Sequence, residues 1–203
     1  MLKPSLIHPV RTRAIRVQSR IGGVTSEQKP DSDVARFPIG NRRNVVVSWF
    51  KGKLYVHIRE YSYEDFPTNK GICLTPSRWA TLVKRVDILE DDFKKSWEDE
   101  PGMSIQDEGE HLGGNVYAKA SSEYKTMDIR NYWIPEGVIR LMPTRKGIRL
   151  RNFEWRSLVS KIPDINNCCE ELRNAVPCSQ NLDHSLIQGF LACSECNPQG
   201  DKM

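Results

Sequence analysis

Basic and aromatic side chains are interleaved in two separate stretches of this chain. In the first stretch they are Arg42, Arg43, Phe50, Lys51, Lys53, Arg59, Tyr61 and Lys70. In the second stretch they are Tyr124, Lys125, Arg130, Tyr132, Trp133, Arg145 and Lys146. On β-strands such residues can hold an unpaired nucleic-acid strand, because cations follow its phosphates and aromatic rings stack on its bases. The alternative is an ordinary amphipathic sheet with core aromatics and solvated cations.

The two stretches are parts of an internal repeat. Lys-Gly-Ile at residues 70–72 is followed by Trp79, Leu82, Val83 and Val86, and Lys-Gly-Ile at residues 146–148 is followed at the same offsets by Trp155, Leu158, Val159 and Ile162. Upstream, residues 57–61 are matched by residues 128–132, with an Arg-x-Tyr pair in each. Such a repeat predicts one small module, strands followed by a helix, that occurs twice.

Local signals place the elements of the first module. Two β-rich runs, at residues 45–47 and 54–58, flank the turn residues Lys51-Gly52-Lys53 and predict a hairpin. A turn at residues 67–71 leads into a short strand at 72–74. Thr75 is suited to cap a helix that begins at Pro76. The Trp79, Leu82, Val83 and Val86 spacing predicts the buried face of that helix.

The second module repeats this plan from Gly113 with two differences. It lacks the Lys-Gly-Lys turn, and a wide turn follows its Arg-x-Tyr pair at residues 133–137. We expect Asn152 to cap its helix, which should end near Pro163. The predicted fold class is α+β, with two tandem modules of four antiparallel strands and one helix.

Charge divides the chain into blocks that follow this organisation. Residues 1–87 and 113–163 carry net charges of +9 and +6, whereas residues 88–112 and 164–203 carry −7 and −4. Basic modules followed by acidic segments indicate a polyanionic ligand. The domains are predicted as a flexible basic arm, a first module, an acidic linker, a second module and a Cys-containing tail, at residues 1–36, 37–95, 96–110, 111–165 and 166–203.

Catalytic and membrane signals are absent from the sequence. It contains no glycine-rich phosphate loop, no Gly-x-Ser-x-Gly and no His-Glu-x-x-His motif, so we expect no enzyme. No apolar run reaches the roughly 18 residues of a membrane span, so we expect no membrane partner. Arg13, Arg16 and Arg20 precede the first acid, Glu27. This arm is typical of mitochondrial targeting, or of a nuclear address or nucleic-acid-binding arm.

Five of the six cysteines lie in the final segment. Cys193-x-x-Cys196 has metal-ligand spacing, and Cys168, Cys169, Cys178 and His184 are candidates to complete a zinc site. The remaining spacings match no familiar zinc finger. We therefore predict free thiols on a poorly ordered tail, with no metal and no cofactor.

Taken in order, the motifs resemble the transcriptional coactivator positive cofactor four family, a single-stranded-DNA-binding module. The first copy carries Phe37-Pro38-Ile39-Gly40, Phe50-Lys51-Gly52-Lys53, Ile58-Arg59-Glu60-Tyr61, Lys70-Gly71-Ile72 and Trp79. The second carries Ile129-Arg130-Asn131-Tyr132-Trp133, Pro135-Glu136-Gly137, Arg145-Lys146-Gly147-Ile148 and Trp155. The resemblance covers residues 37–89 and 111–163.

The resemblance implies nucleic-acid-contacting residues in both copies. They are Phe50, Lys51, Lys53, Arg59 and Lys70 in the first, and Tyr124, Lys125, Arg130, Trp133, Arg145 and Lys146 in the second. Ser62 replaces the family's stacking Trp in the first copy, and the second copy lacks the hairpin cations. Each copy thus keeps a different half of the family's surface.

Family modules work in pairs, which implies an internal pseudo-dimer of the two copies, with a homodimer between chains as the alternative. The resulting prediction is a nuclear transcriptional coactivator that acts with RNA polymerase II and other transcription proteins and binds single-stranded DNA. The alternatives are a general binder of single-stranded DNA or RNA, mitochondrial in one version, and a protein-interaction scaffold with eroded nucleic-acid binding.

Overall fold

Two four-stranded antiparallel sheets form the framework of the protein. The computed structural model describes residues 29–98, 109–137, 140–184 and 186–200. In each sheet the strands neighbour one another in sequence order. The first sheet comprises β1 (Ser32–Gly40), β2 (Arg43–Phe50), β3 (Lys53–Tyr61) and β4 (Pro67–Leu74). The second comprises β5 (Glu110–Gly113), β6 (Val116–Ser121), β7 (Thr126–Trp133) and β8 (Met142–Arg151).

Helices follow each sheet, which confirms the predicted α+β fold of two modules. The first sheet is followed by α1 (Pro76–Lys84) and α2 (Val86–Glu98), and the second by α3 (Asn152–Asn167), α4 (Glu170–Arg173) and α5 (Ile187–Ala192). Short 3-10 turns at Cys178–Gln180 and Leu182–His184 lie between α4 and α5. None of the helices among the described residues is both long and apolar enough to cross a membrane.

Most local signals of the first module are confirmed. The turn predicted at residues 67–71 is wrong, because these residues belong to strand β4 and pair with β3. Lys51 and Gly52, with φ of 49° and 71°, form the two-residue turn between β2 and β3. Thr75 caps α1, because its hydroxyl accepts the Arg78 N–H at 3.3 Å. Trp79 and Leu82 are fully buried, as the helical spacing predicted. Val83 is only partly buried, and Val86 already belongs to α2.

The helical part of the first module is longer than predicted. A break at Arg85 separates α1 from α2, and α2 continues through residues that we assigned to the end of the module and the start of the linker. Leu89 and Phe93, four residues apart, are buried, and α2 contacts strand β6 of the second module. Burial of this apolar face maintains the helix despite its acidic composition.

Two predictions for the helix of the second module were wrong. Arg151, not Asn152, occupies the cap position, and its backbone N–H donates to the Glu154 carboxylate at 2.8 Å. The helix also continues past Pro163 to Asn167. Ile162 and Ile165 are both buried, so the last turn stays attached to the core.

The structure also shifts three of the predicted boundaries. Strand β1 begins at Ser32, five residues before the predicted first module, because it pairs with β2 as far as Trp49. Of the predicted linker, residues 96–98 belong to α2 and residue 110 begins β5. Residues 99–108 and most of the predicted arm lie outside the described residues. The predicted tail contains ordered elements, from the end of α3 to α5.

The two modules share one hydrophobic core. Helix α3 of the second module packs on β1, whereas α1 and α2 of the first module pack on β5 and β6. The last strands of the two sheets, β4 and β8, also lie next to each other. Each module therefore covers its partner's apolar sheet face with its own helices.

Polar contacts between the modules lie within this shared core. The Trp79 indole N–H donates to Asn166 Oδ1 at 2.7 Å, and thus joins α1 to α3. Arg43 of β2 donates to the Glu154 carboxylate of α3 at 2.6 Å. The Glu154 side chain is 1% exposed, so a guanidinium partner is what makes its burial tolerable.

Candidate nucleic-acid interface

Strand alternation gives the first sheet a polar face that points away from the core. On β3, Val56 and Ile58 are buried against the helices, whereas Tyr55, His57 and Arg59 point to the opposite side. We call this side the outer face of the first module. The corresponding outer face of the second module carries Asp128 and Arg130 on β7.

Arg59 is held in one position on its outer face. It pairs in register with Gly71 of β4, where an added Cβ would lie 2.9 Å from Arg59 Cβ and 2.8 Å from the Ile58 carbonyl oxygen. The arginine side chain therefore needs the space that glycine leaves. Its Nη1 donates to the Thr68 carbonyl at 2.9 Å, which fixes the guanidinium.

The second module repeats these contacts around Arg130. Arg130 pairs with Gly147, and its Nη1 donates to the Thr144 carbonyl at 2.7 Å. The Thr144 hydroxyl donates to the Asn131 carbonyl at 2.8 Å, just as the Thr68 hydroxyl donates to Glu60. The repeated Lys-Gly motif thus has a structural cause, since its glycine makes room for the repeated arginine.

The two arginines differ in what else surrounds them. Arg130 Nε and Nη2 donate to the Asp128 carboxylate at distances of 2.9 to 3.1 Å, so its charge is compensated. In the first module His57 occupies the position of Asp128. Burial lowers the pKa of His57 below its ordinary 6.5, and the charge of Arg59 adds to this effect, so the imidazole is neutral at neutral pH. Arg59 therefore retains its positive charge without a carboxylate two residues away.

The hairpin turn of the first module presents the other predicted residues. The Phe50 side chain is 51% exposed, and Lys51 Nζ lies 5.3 Å from the centre of its ring. The positive φ of Lys51 is supported by a hydrogen bond from its backbone N–H to Asp31 Oδ1 at 2.7 Å. Lys53 is also exposed. A ring and two cations thus project together at one end of β3.

Two predicted lysines are already engaged by the protein. Lys70 Nζ lies 3.2 Å from the Glu60 carboxylate, although the lysine side chain is 74% exposed. Lys125 Nζ donates to the Ser96 carbonyl near the end of α2, where a free helix carbonyl needs a partner. This contact gives Lys125 a structural role that its place in the sequence did not indicate.

The remaining predicted residues of the second module lie on its surface. Arg145 and Lys146 are exposed on β8, and Trp133 is 52% exposed at the end of β7. The Tyr124 side chain is 54% exposed, and the Arg149 guanidinium lies 4.6 Å from the centre of its ring. Trp133 is therefore available for stacking, whereas the tyrosines of the Arg-x-Tyr pairs are covered. The Arg36 guanidinium covers Tyr61, and Tyr132 packs edge-on against Tyr117.

One exposed aromatic was missed by the sequence reasoning. Tyr63 follows Ser62, the residue at the position of Trp133, and its side chain is 91% exposed with the Arg42 guanidinium 4.0 Å from the ring centre. Its proximity to Ser62 was the available signal. Tyr63 places an aromatic ring next to the position where the first module lacks a tryptophan.

The predicted residues of the first module form two groups at opposite ends of β3. Lys53 pairs with Phe50 at one end, and Arg59 pairs with Gly71 beside Lys70 at the other. Six residue steps of about 3.3 Å separate the groups by about 20 Å. Tyr55 and His57, with ring centres 6.1 Å apart, lie between them. The outer face is thus a continuous strip of cations and rings.

A comparison with known protein families finds a match to the first module. Residues 37–85 match the model of the family described as Transcriptional Coactivator p15 (PC4). The match ends at Arg85, directly after helix α1, and it contains the hairpin turn, the Arg59 site and Trp79. It supports the resemblance for the first copy, whereas the membership of the second copy stays a prediction.

Two curated relatives are similar to this chain over stretches of 77 and 75 residues. A stretch of 77 residues is 38% identical to RNA polymerase II transcriptional coactivator KELP of Arabidopsis thaliana and covers 36% of this chain and 47% of that protein. A stretch of 75 residues is 39% identical to a putative RNA polymerase II transcriptional coactivator of Caenorhabditis elegans and covers 34% of this chain and 60% of that protein. The chain thus matches about half the length of these relatives. No solved structure matches the chain.

Proposed function

We propose that this protein is a nuclear, non-catalytic transcriptional coactivator that binds single-stranded DNA and acts with RNA polymerase II. The observation that carries the binding proposal is the outer face of the first module. There the Thr68 carbonyl and the space at Gly71 fix Arg59, and no ion pair joins it to a carboxylate among the described residues. The exposed Phe50 and Lys53 lie at the other end of the same face. Fixed cations and exposed rings along about 20 Å of strand suit phosphates and bases that are not paired.

The two modules contribute unequally in this proposal. The first supplies most phosphate contacts, because the corresponding arginine of the second, Arg130, is compensated by Asp128. The second supplies base stacking through Trp133 and further cations through Arg145 and Lys146, all of which are exposed. An unpaired strand that crosses both modules would thus meet different chemistry on each.

The coactivator role rests on the named relatives, and the nuclear location is inferred from that role. Both are described as RNA polymerase II transcriptional coactivators, and the matched segment contains the outer face of the first module. Capture of a melted promoter strand would link DNA binding to this role. Stimulation of RNA polymerase II transcription in a reconstituted reaction tests it, and wild type without any effect would contradict it.

Binding is tested by fluorescence anisotropy with a labelled oligothymidine at several salt concentrations. We expect tighter binding to the single strand than to a duplex of the same length. Arg59→Ala should flatten the dependence of log affinity on log salt by about 0.7, the share of one phosphate on a single strand. A matched oligouridine measures the preference between DNA and RNA.

Lys94→Ala is the matched control for the loss of one positive charge. Lys94 is exposed on α2, and its nearest carboxylate partner, Asp91, lies on the same helix. We expect this variant to bind like wild type. Equal effects of Arg59→Ala and Lys94→Ala would show that the outer face is not the binding surface, and no binding by wild type at low salt would favour the scaffold alternative.

A further inference from the structure

The tail brings together four side chains of the kind that hold metal ions. The ligand atoms of Cys178, His184, Cys193 and Cys196 all lie within 4.8 Å of one another. We call this group the Cys/His cluster. Cys168 and Cys169 are not part of it, so the structure selects four residues from the six that the sequence offered.

Three distances within the Cys/His cluster are close to those of a tetrahedral zinc site. Zn–S bonds of about 2.3 Å and Zn–N bonds of about 2.0 Å place tetrahedral ligands about 3.8 Å apart for two sulfurs, and about 3.5 Å apart for sulfur and nitrogen. The Cys178 and Cys193 sulfurs are 3.8 Å apart. His184 Nδ1 lies 3.4 Å from the Cys196 sulfur and 3.9 Å from the Cys178 sulfur.

Local backbone structure holds these ligands in place. The Leu182–His184 turn packs against α5 at Gly189, where an added Cβ would collide with the Asp183 carbonyl. At the other side of the cluster, the Asn197 N–H donates to the Cys193 carbonyl at 2.8 Å and closes the loop that carries Cys193 and Cys196. The two 3-10 turns thus present one ligand each, Cys178 and His184, and the closed loop presents Cys193 and Cys196.

We propose that Cys178, His184, Cys193 and Cys196 bind one zinc ion, which fixes the tail across both modules. Three thiolates and one imidazole form a closed tetrahedral set, which is typical of structural rather than catalytic zinc. A segment this short has little core of its own, and metal binding supplies the folding free energy of such segments.

The loop of the Cys/His cluster contacts the first module through an ion pair. Glu195 lies between Cys193 and Cys196, and its carboxylate accepts from Arg78 Nε at 2.8 Å and Arg78 Nη2 at 2.5 Å. Arg78 belongs to the first turn of α1. The pair is partly buried, with side-chain exposures of 22% and 32%. Such two-pronged pairing fixes orientation as well as distance.

The same loop contacts the second module through its backbone. The Gly114 N–H, in the turn between β5 and β6, donates to the Glu195 carbonyl at 2.7 Å. Gly114 has a φ of 55°, and an added Cβ would collide with the Arg78 guanidinium. Glu195 therefore joins α1 of the first module to the β5–β6 turn of the second.

This contact has a counterpart on the opposite side of the molecule. Glu154 occupies in α3 the position that Arg78 occupies in α1, three residues after the cap, and it pairs with Arg43 at the start of β2. At the corresponding place in the second module, Val116 begins β6 and offers no charge. The tail supplies the missing partner as Glu195, which explains why an ordered tail is needed on this side alone.

Metal analysis of the full-length chain tests the proposal. Protein purified under reducing conditions without chelator, then reconstituted with zinc and desalted, should contain one zinc ion per chain by mass spectrometry. After removal of zinc, titration with cobalt should produce the visible spectrum of tetrahedral thiolate coordination. Cys196→Ser should lose zinc, whereas Cys169→Ser, a cysteine of the same tail outside the cluster, should retain it.

Hydrogen exchange tests whether the zinc ion also joins the modules. Chelation should increase exchange in the peptide containing Gly114, because its N–H donates to the Cys193–Cys196 loop. Glu195→Ala should retain zinc and largely keep this protection, because the Gly114 N–H donates to the backbone carbonyl of residue 195 and not to its side chain. Unchanged exchange at Gly114 on chelation would show that the zinc ion does not join the modules.

Three results would overturn the zinc site itself. The first is a wild-type protein that takes up no more zinc than Cys196→Ser. The second is a Cys169→Ser variant that loses as much zinc as Cys196→Ser. The third is a Cys178–Cys193 disulfide in the freshly isolated chain. If Cys196→Ser does not fold, the cobalt spectrum of wild type decides alone, since octahedral or absent coordination contradicts the proposal.

Discussion

Replacement of Asp128 by asparagine should strengthen the binding of single-stranded DNA. The Asp128 carboxylate accepts three hydrogen bonds from Arg130, and it also lies 3.5 Å from Arg149. Asparagine keeps the size of the side chain but removes its charge. Arg130 would still be held by the Thr144 carbonyl, as Arg59 is held by Thr68, and its positive charge would be available to a phosphate.

The size of the effect follows from one added phosphate contact. The slope of log affinity against log salt should steepen by about 0.7 on a single strand. If the contact contributes nothing at 1 M salt, that slope makes the variant bind about fivefold more tightly than wild type at about 0.1 M salt. The free energy of unfolding of the variant should also be lower by about 1–3 kcal/mol, because charge-assisted hydrogen bonds of a nearly buried carboxylate are lost.

Anisotropy titrations of labelled oligothymidine measure both quantities. Thermal unfolding first establishes that Asp128→Asn is folded at the assay temperature. The double variant Asp128→Asn/Arg130→Ala should return to the wild-type slope, since the gain depends on Arg130. A folded Asp128→Asn protein with the wild-type slope and affinity would refute the reasoning, because Arg130 would then not face the bound strand.

Four further outcomes are expected. Trp133→Ala should weaken single-strand binding by about 1–3 kcal/mol, the value of one stacked base, with an unchanged salt slope in the same titrations; wild-type affinity would show that Trp133 does not stack. Lys51→Ala should instead flatten that slope by about 0.7, and an unchanged slope would exclude a phosphate contact. Gly71→Ala should lower the free energy of unfolding in denaturant by about 1–3 kcal/mol, because its Cβ meets backbone and Arg59; wild-type stability would show that the Arg59 site tolerates the methyl group. Light scattering of the full chain should give 23.3 kDa, since each module is covered by helices of the same chain, and twice that mass at low micromolar concentration would contradict internal pairing.

Sequence patterns predicted the regular parts of the fold well. The hairpin at Lys51-Gly52, the Thr75 cap and the buried Trp79 each follow from local rules, and the structure has all three. Helix α2 was missed because its acidic residues suggested a linker. Its burial depends on strand β6, which lies in the other module and which no local pattern could indicate.

The charge state of the candidate site could not be predicted in the same way. Arg59 and Arg130 are equivalent in the repeat, and only the packed sheet shows that Asp128 compensates one of them. Lys125 was predicted as a nucleic-acid contact from its place in the sequence, which gave no sign of its bond to the Ser96 carbonyl. The Cys/His cluster required contacts across 18 residues, from Cys178 to Cys196, that spacing alone did not indicate.

Photo-crosslinking of the full-length chain to a single-stranded oligothymidine tests the central claim most directly. Irradiation of the complex at low salt, followed by peptide mass spectrometry, locates the residues in contact with bases. We predict crosslinks on the outer face of the first module, at Phe50 or Tyr55, with further crosslinks at Trp133. Crosslinks confined to the arm before Ser32 or to the tail after Asn167, with none on either sheet, would contradict the proposed interface.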